Sequence, residues 1–521
     1  MQTNITAKGR YNQLASERLK FLERARECSW YTLPYLIPKE GTTSSTEFHT
    51  PYAALPAQCV NNLAAKLITT LLPPGTAFFK LNLERLAAEQ VVEIPAPGGE
   101  NLKAVTEKQL LRTELIATDE IEGMSLRPKA YELFRHLIVG GNALLLEDGE
   151  DSRVHPLSNY VCRRDGVGTP VEIIVKESTN YWDLTEEQQA QVQDYERKEE
   201  DQGELDVYKS CTWDYEKNKW VVYQEINGNK LQGTEGTYTR ENFPYIPLRW
   251  TRLDGEDYGR SYVEEYLGDV ISLEELTKSI VQGSAVASRI IYLVQPGGTT
   301  NPKELEDADN GAYVKGSPDE VQALQSQKAQ DLRIAAEMVS NIEASLKSAF
   351  LMMSSVQRQA ERVTAEEIRL MAHELENALG GIYSLLGQEF QRPLVQRLLS
   401  RLKKQKKIPA LPDELVNIQI ITGLEALGRG QDLQRLQVAI GSIPQPLLPE
   451  VLPYLNATEM LNRIFGAVGV DTTGLLKDAE EVAAERQQAQ MQQMAEKLGP
   501  QAIQQAGAMA QQQQQQQQPE Q

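Results

Sequence analysis

Asp254, Glu256 and Asp257 crowd into the seven-residue segment LDGEDYG, and acids so placed are the kind that hold a divalent cation. An EF-hand loop needs oxygen ligands at alternating positions closed by a distant glutamate, and that spacing is missing. A solvated turn accounts for the same residues. Other templates for chemistry also fail. There is no GxxxxGK[ST] loop and no Gly-Lys dipeptide, so the chain lacks the phosphate cradle of an ATP-hydrolysing motor. His373 is followed by ELEN, which excludes HExxH, and no GxSxG elbow occurs. Gly166 and Gly168 in DGVGTP do not complete a dinucleotide fingerprint and sit where a turn is needed. His49, His136 and His155 have no evident partners in the sequence. Cys28, Cys59, Cys162 and Cys211 are widely spaced without a CxxC pair, so they read as reduced thiols, neither a zinc site nor a disulfide framework. The expectation is a non-enzymatic protein with no cofactor and no metal.

A different kind of candidate lies at residues 354–363, where SSVQRQAERV separates two helical patterns. Thr364 with Glu367 three residues later forms a capping box, so a helix is predicted to begin at Ala365. Upstream, Leu332, Ala335, Ala336, Val339, Ile342, Leu346, Ala349 and Phe350 recur at three and four residues, one face of another helix. The segment between therefore hangs as a loop carrying Gln357, Arg358, Glu361 and Arg362. Taken alone, it reads as an ordinary connection with a solvated charge cluster.

The elements around these candidates follow from periodicity. Amphipathic helices are predicted over residues 11–30, 53–72, 104–120 and 129–139, the second ended by Pro73-Pro74-Gly75. Strands are predicted over 142–147, 171–176, 205–214, 220–226 and 246–251, with a hairpin turn at 147–151. Residues 272–294 are predicted to be helical for about 35 Å, with Gly283, Ser284, Ala285, Ala287 and Ser288 in the middle. A turn-rich stretch follows at 295–324, with an acidic group of Glu304, Glu306, Asp307 and Asp309. The helix from Ala365 is expected to bend at Gly380-Gly381 and at Pro393. Arg401, Lys403, Lys404, Lys406 and Lys407 beyond it suit a helix C-terminus, with DNA contact as the other reading. The chain ends in a weak helical stripe from Leu475 to about Leu498 that passes into a glutamine run at 511–518, which is expected to be disordered.

At 521 residues, 41% of them hydrophobic, the chain exceeds one core and suggests two to four domains. Its best candidate for a membrane span, 273–294, carries Glu274, Glu275, Lys278 and Arg289, and so reads as a soluble helix. The N-terminal MQTNITAKGR lacks the apolar core of a signal peptide. With 53 basic against 73 acidic residues the formal charge is -20, which excludes a surface that grips DNA throughout. Plain solubility accounts for that balance.

Five blocks carry a family resemblance. They are YTLPYLIPKE, TPYAALPAQCVNNLAAKL, YIPLRWTRLDGEDYGRSYVEEYLGDVISLEEL, ERVTAEEI and ITGLEALGRGQDLQRL. The chain resembles the portal, or head-to-tail connector, of autographivirus-type short-tailed phages, over most of its length and least at 185–203 and after Gly474. The resemblance implies a mainly α fold with α+β parts, assembled as a ring. Its parts would be a wing (1–271), a first stem helix (272–294), a clip (295–327), a second stem helix (328–352), a channel loop (353–363), a long wing helix with a return strand (364–421), a crown (422–474) and a barrel helix with a Gln-rich tail (475–521).

The same resemblance implies function. Twelve copies would ring one capsid vertex, assembled in the host cytoplasm and retained in the virion, and double-stranded DNA would enter and leave through the channel. Gln357, Arg358, Glu361 and Arg362 would form the constriction. Glu304, Glu306, Asp307 and Asp309 on the clip would face the terminase large subunit and then the tail adaptor and nozzle proteins. Further implied partners are the major capsid protein, the scaffolding protein, with which the ring would nucleate procapsid assembly, and internal core proteins; no membrane is implied. A head or tail adaptor subunit without its own channel is the alternative.

Overall fold

The computed structural model describes residues 6–39, 41–42, 46–74, 78–83, 102–124, 126–149, 152–191, 204–287, 291–324, 329–352, 365–408 and 418–422. The chain divides into two compact units, Met1–Leu427 and Gly428–Gln521. The described residues all belong to the first. The crown and barrel assignments therefore lie outside the described residues, apart from Thr422.

The predicted helices form at Ala7–Tyr31, Leu55–Leu71, Leu102–Gly123 and Leu126–Gly140. Leu126–Gly140 is the centre of the core. Leu133, Phe134, Leu137, Ile138 and Val139 on it are fully buried, and they share one cluster with Leu63 and Leu67 of Leu55–Leu71 and Leu22 and Ala25 of Ala7–Tyr31. Phe134 meets Phe390 edge-on at 5.5 Å, which ties the C-terminal part of the unit to this centre. Gly141 ends the helix with φ +71° and must be glycine, because a Cβ there would sit 2.6 Å from the Arg260 carbonyl carbon.

Two antiparallel sheets flank the helices, and a two-stranded pair closes the unit. The pair joins β1 (Phe79–Leu83) to the last described strand (Ile418–Thr422), in register Phe79↔Thr422 to Leu83↔Ile418. The smaller sheet contains β2 (Asn142–Leu146), β3 (Arg153–Pro156) and a strand at Tyr245–Arg249, with Asn142–Leu146 central. The larger sheet runs through Tyr160–Arg164, Pro170–Asn180, Glu204–Asp214, Lys219–Ile226 and Asn229–Lys230, with Gly236–Tyr238 also on Lys219–Ile226.

Buried carboxylates fix where helices begin. Glu225, 1% exposed on the larger sheet, accepts from Ala7 N at 2.6 Å and Lys8 N at 3.0 Å, and so joins Thr6 in capping Ala7–Tyr31. A carboxylate at a helix N-terminus satisfies orphan N–H groups and complements the dipole.

Two boundaries differ from the sequence expectation. The helix predicted over 272–294 runs Leu267–Ala287, and Ile291–Val294 is a strand paired with Val321–Leu324. The β-branched and aromatic run Ile-Tyr-Leu-Val before Pro296-Gly297 prefers a pleated ribbon to a helix end. In the later helix, Ala365–Leu379 stops at Gly380 and Gly381, both with positive φ, as the glycine pair predicts. The second bend is a π-helical turn at Gly387–Gln391, and Pro393 opens the helix Arg392–Lys404. Proline has no N–H to donate to residue 389, and a wider turn just before it absorbs the missing bond.

His136 is buried at 4% exposure with Nδ1 unpaired, and burial, with Arg135 beside it, pulls its pKa down to about 4. Unfolded, it titrates near 6.5, so the unfolded chain binds the extra proton between those values. The contribution of neutral His136 is complete above pH ~6.5 and is lost as pH falls toward 4, by up to about 3 kcal/mol. His136→Leu should therefore flatten the fall in urea midpoint between pH 7 and 4.5; an unchanged slope would show that this imidazole is not the titrating group.

Candidate functional site: the paired-helix projection and its acidic tip

Leu267–Ala287 and Ala329–Ala349 pack side by side. The first buries Leu267, Val270 and Leu273 at its base and turns its later residues outward. Leu332, Ala335, Val339, Ile342 and Leu346 of the second keep the predicted spacing and are buried or half-buried. Gly283 permits the close approach, since a Cβ there would lie 2.9 Å from Leu332 Cδ2.

The base is tied to the body by polar and aromatic contacts. Glu274 (5% exposed) accepts from Tyr52 N at 2.9 Å and Ala53 N at 2.8 Å. Tyr262 donates to Ala349 O at 2.9 Å, and its ring lies 5.0 Å from that of Phe350. Away from the base, large apolar side chains face outward on both helices: Val281 and Val286 at 51% and 63% exposure, Ile334 and Met338 at 60% and 50%. A solvated face would carry polar residues there.

The tip begins with the ribbon Ile291–Val294 and Val321–Leu324, in register Ile291↔Leu324 to Val294↔Val321. Glu320 organises the turns beyond. It accepts from Thr300 Oγ1 at 2.7 Å and from the Thr299 and Thr300 amides at 2.9 Å each. The Thr300 hydroxyl, then the Thr299 amide, hold its carboxyl down at about 2. All four acids singled out in the sequence are exposed here. Glu304 and Asp307 line a shallow groove of about 350 Å³ with Lys303, Ala312 and Tyr313, while Glu306 and Asp309 stay outside it. Tyr313 is fully exposed on this rim.

Gln357, Arg358, Glu361 and Arg362 lie outside the described residues. Their flanks are described, and both touch one helix that sequence reasoning treated only as apolar. Asn62 Nδ2 donates to Phe350 O at 3.1 Å, and Lys66 Nζ donates to Leu351 O at 2.7 Å. Lys66 also lies 4.0 Å from Glu374 on Ala365–Leu379. The available signal was an amide and the helix's one ammonium four residues apart, at Asn62 and Lys66.

Other candidates resolve into structure. Glu256 pairs with Arg260 at 2.8 Å, and Asp257 accepts from Arg164 N at 2.7 Å, so these acids hold their turn in place. Among the described residues no group of three or more His, Cys, Asp or Glu is placed to hold a metal ion. Arg401, Lys403 and Lys404 stand in the last turn of Arg392–Lys404, as the helix C-terminus reading has it, and two of the run also make internal contacts: Arg401 pairs with Glu147 at 2.8 Å and Lys407 with Glu120 at 2.9 Å. His155 lies 3.7 Å from Glu177, and His49 stacks on Trp30 at 4.5 Å. The four cysteines are free and buried, and burial pushes the Cys28 and Cys59 thiols up to about 12. Among the described residues no helix is long and apolar enough to cross a membrane.

The family profile described as bacteriophage head to tail connecting protein matches residues 4–476. The chain belongs to that family. Within it, the connector chain is 40% identical to the portal protein of Escherichia phage T7 over 494 residues, 93% of this chain and 91% of the relative. It is 39% identical to the portal protein of Enterobacteria phage T3 over 498 residues, 95% of this chain and 91% of that one. A chain from the virion of a native gene transfer agent particle overlays with a TM-score of 0.34 at 11% identity, covering 77% of this connector and 90% of that chain.

Proposed function

We propose that this connector-family chain is the portal subunit of a short-tailed phage, acting as a conduit and platform with no catalytic role. Twelve copies form a ring at one capsid vertex, through which DNA is packaged and later ejected. The observation that carries the reading is the paired-helix projection, apolar on both helices. Two different apolar flanks on one subunit favour a head-to-tail contact between copies, and repeated rotation about such a contact closes a ring.

Within the ring the projection lines the channel and residues 353–363 narrow it, with Arg358 and Arg362 set against phosphates and Gln357 and Glu361 modulating the grip. Arginine suits this because its planar fork pairs with phosphate oxygens. The tip acids Glu304, Glu306, Asp307 and Asp309 meet basic surfaces of the packaging terminase and then of the tail adaptor and nozzle proteins. The capsid protein, scaffold and internal core proteins contact the remainder of the ring, which nucleates the procapsid.

Negative-stain imaging with mass determination tests the proposal. Rings of twelve 58.4 kDa chains, roughly 700 kDa, with a central hole are expected. A monomer that added scaffold does not convert would overturn it. Replacing the four tip acids by lysine should weaken terminase binding roughly tenfold or more while leaving ring mass unchanged, because charge complementarity acts at the docking face alone. Equal affinity in a binding titration would remove the docking role.

A further inference from the structure

Four polar groups of Leu55–Leu71 lie in one line, with Gln58, Asn61 and Thr69 off it. Cys59, Asn62, Lys66 and Thr70 follow at intervals of three and four residues, which places them along one face. That face touches the chain on both sides of residues 353–364. Cys59 Sγ is 3.5 Å from Met352 Sδ, Asn62 donates to Phe350 O, and Lys66 donates to Leu351 O. At the helix end, Thr70 O accepts from Tyr383 OH at 3.1 Å and Leu71 O from Gln391 Nε2 at 2.7 Å.

Lys66 holds a special place in this line because its ammonium faces both partners at once. It is 2.7 Å from the Leu351 carbonyl, at the end of the projection, and 4.0 Å from Glu374, on the helix that follows. Its side chain is 11% exposed against 33% for Glu374. Leu351 adopts φ +57°, a left-handed conformation costly for a branched side chain, which persists only where surrounding contacts fix it. The lysine bond to its carbonyl is such a contact. An ammonium carries three donors on a flexible stem, so it serves two acceptors that a planar amide would not reach together.

We propose that Lys66 is a positioning residue that sets the angle between the paired-helix projection and the helix Ala365–Leu379, so that movement of the projection passes to that helix. The consequence for DNA rests on the portal reading, because the two elements it joins carry the ends of the proposed constriction.

The test uses full-length assembled protein with nitroxides at Ser345→Cys and Asn377→Cys, both exposed positions, diluted with unlabelled chain. Lys66→Met, which keeps the stem and removes the charge, should broaden the electron-electron distance distribution to roughly twice the native width as the joint samples more than one angle. Lys66→Arg should restore it, and hydrogen exchange in Leu126–Gly140 should stay unchanged in both. Native width in Lys66→Met overturns the proposal, as does a broadening that Lys66→Arg leaves in place. If Lys66→Met fails to fold, Glu374→Gln, which disables one arm, must broaden the distribution, and a native width there overturns the proposal too. DNA retention in filled heads separates this inference from the portal reading. Arg358→Ala with Arg362→Ala leaks if the constriction exists, whereas Lys66→Met leaks only if the joint also matters.

Discussion

Replacing Glu147 by alanine is expected to cost about 3–5 kcal/mol, well above the loss from an exposed ion pair. Glu147 is 2% exposed at the end of Asn142–Leu146, and its carboxylate takes both Arg397 Nε and Arg401 Nη1, the latter at 2.8 Å. Burial lowers the pKa of Arg397 and the neighbouring Glu147 charge raises it, so this carboxylate offsets part of the cost of taking the guanidinium out of water. Without it, two half-buried guanidinium groups lose their nearest anion. Asp148, 3.7 Å from Arg397 but 76% exposed, and Glu120, 3.9 Å from Arg401, are poor substitutes because solvent screens one and distance weakens the other. Glu120→Ala, by contrast, removes mainly the exposed contact to Lys407 and should cost about 0.2–1 kcal/mol. Urea unfolding of the two variants measures the difference. A loss of under about 1 kcal/mol for Glu147→Ala would mean that water solvates the two arginines in its place.

The contrast between Glu147 and the basic run shows where sequence reading stopped. The apolar periodicities of Leu55–Leu71 and Leu126–Gly140 are local facts, and the helices formed within a few residues of the expected bounds. The capping box at Thr364 and Glu367 likewise placed a helix start at Ala365. Arg401 stands in the last turn of its helix, as its place in the sequence implies, but the partners of Arg401 and Lys407 are 254 and 287 residues away, beyond any local pattern. Lys66 and Leu351, 285 residues apart, are the same case. The strand at Ile291–Val294 was missed for another reason: four apolar residues continue a helical stripe as readily as they form a ribbon, and only pairing with Val321–Leu324 decides. The tip acids were legible as a charge cluster. That only Glu304 and Asp307 of the four line the groove depends on turns built around Glu320, whose role no composition shows. The family itself was legible because long irregular blocks survive where pairwise contacts cannot be seen.

Placing glutamate at both Ile334 and Met338 is expected to abolish ring assembly while leaving the subunit folded. Both side chains are exposed on the isolated subunit, at 60% and 50%, so their replacement should move its stability by no more than about 0.5 kcal/mol. In the proposed ring the same positions are covered by the next copy, and two unpaired carboxylates would have to be buried at every contact. Even a net cost of roughly 4 kcal/mol weakens each contact about a thousandfold, and a closed ring suffers that loss at every interface. Sedimentation velocity should then show a 58.4 kDa species with an unchanged circular dichroism spectrum. A charge-swap partner makes the head-to-tail geometry testable. If the Ile334 and Met338 flank packs against the Val281 and Val286 flank of the neighbour, Val281→Lys with Val286→Lys should block assembly alone. Mixed with the glutamate variant, it should instead restore rings in which the two variants alternate, because glutamate meets lysine at one contact and two unchanged flanks meet at the next. Rings from the glutamate variant alone would remove the apolar flanks as the contact; dimers of each variant alone, with no rings on mixing, would mean that each flank meets its own kind, an isologous contact that does not generate a twelve-membered cycle.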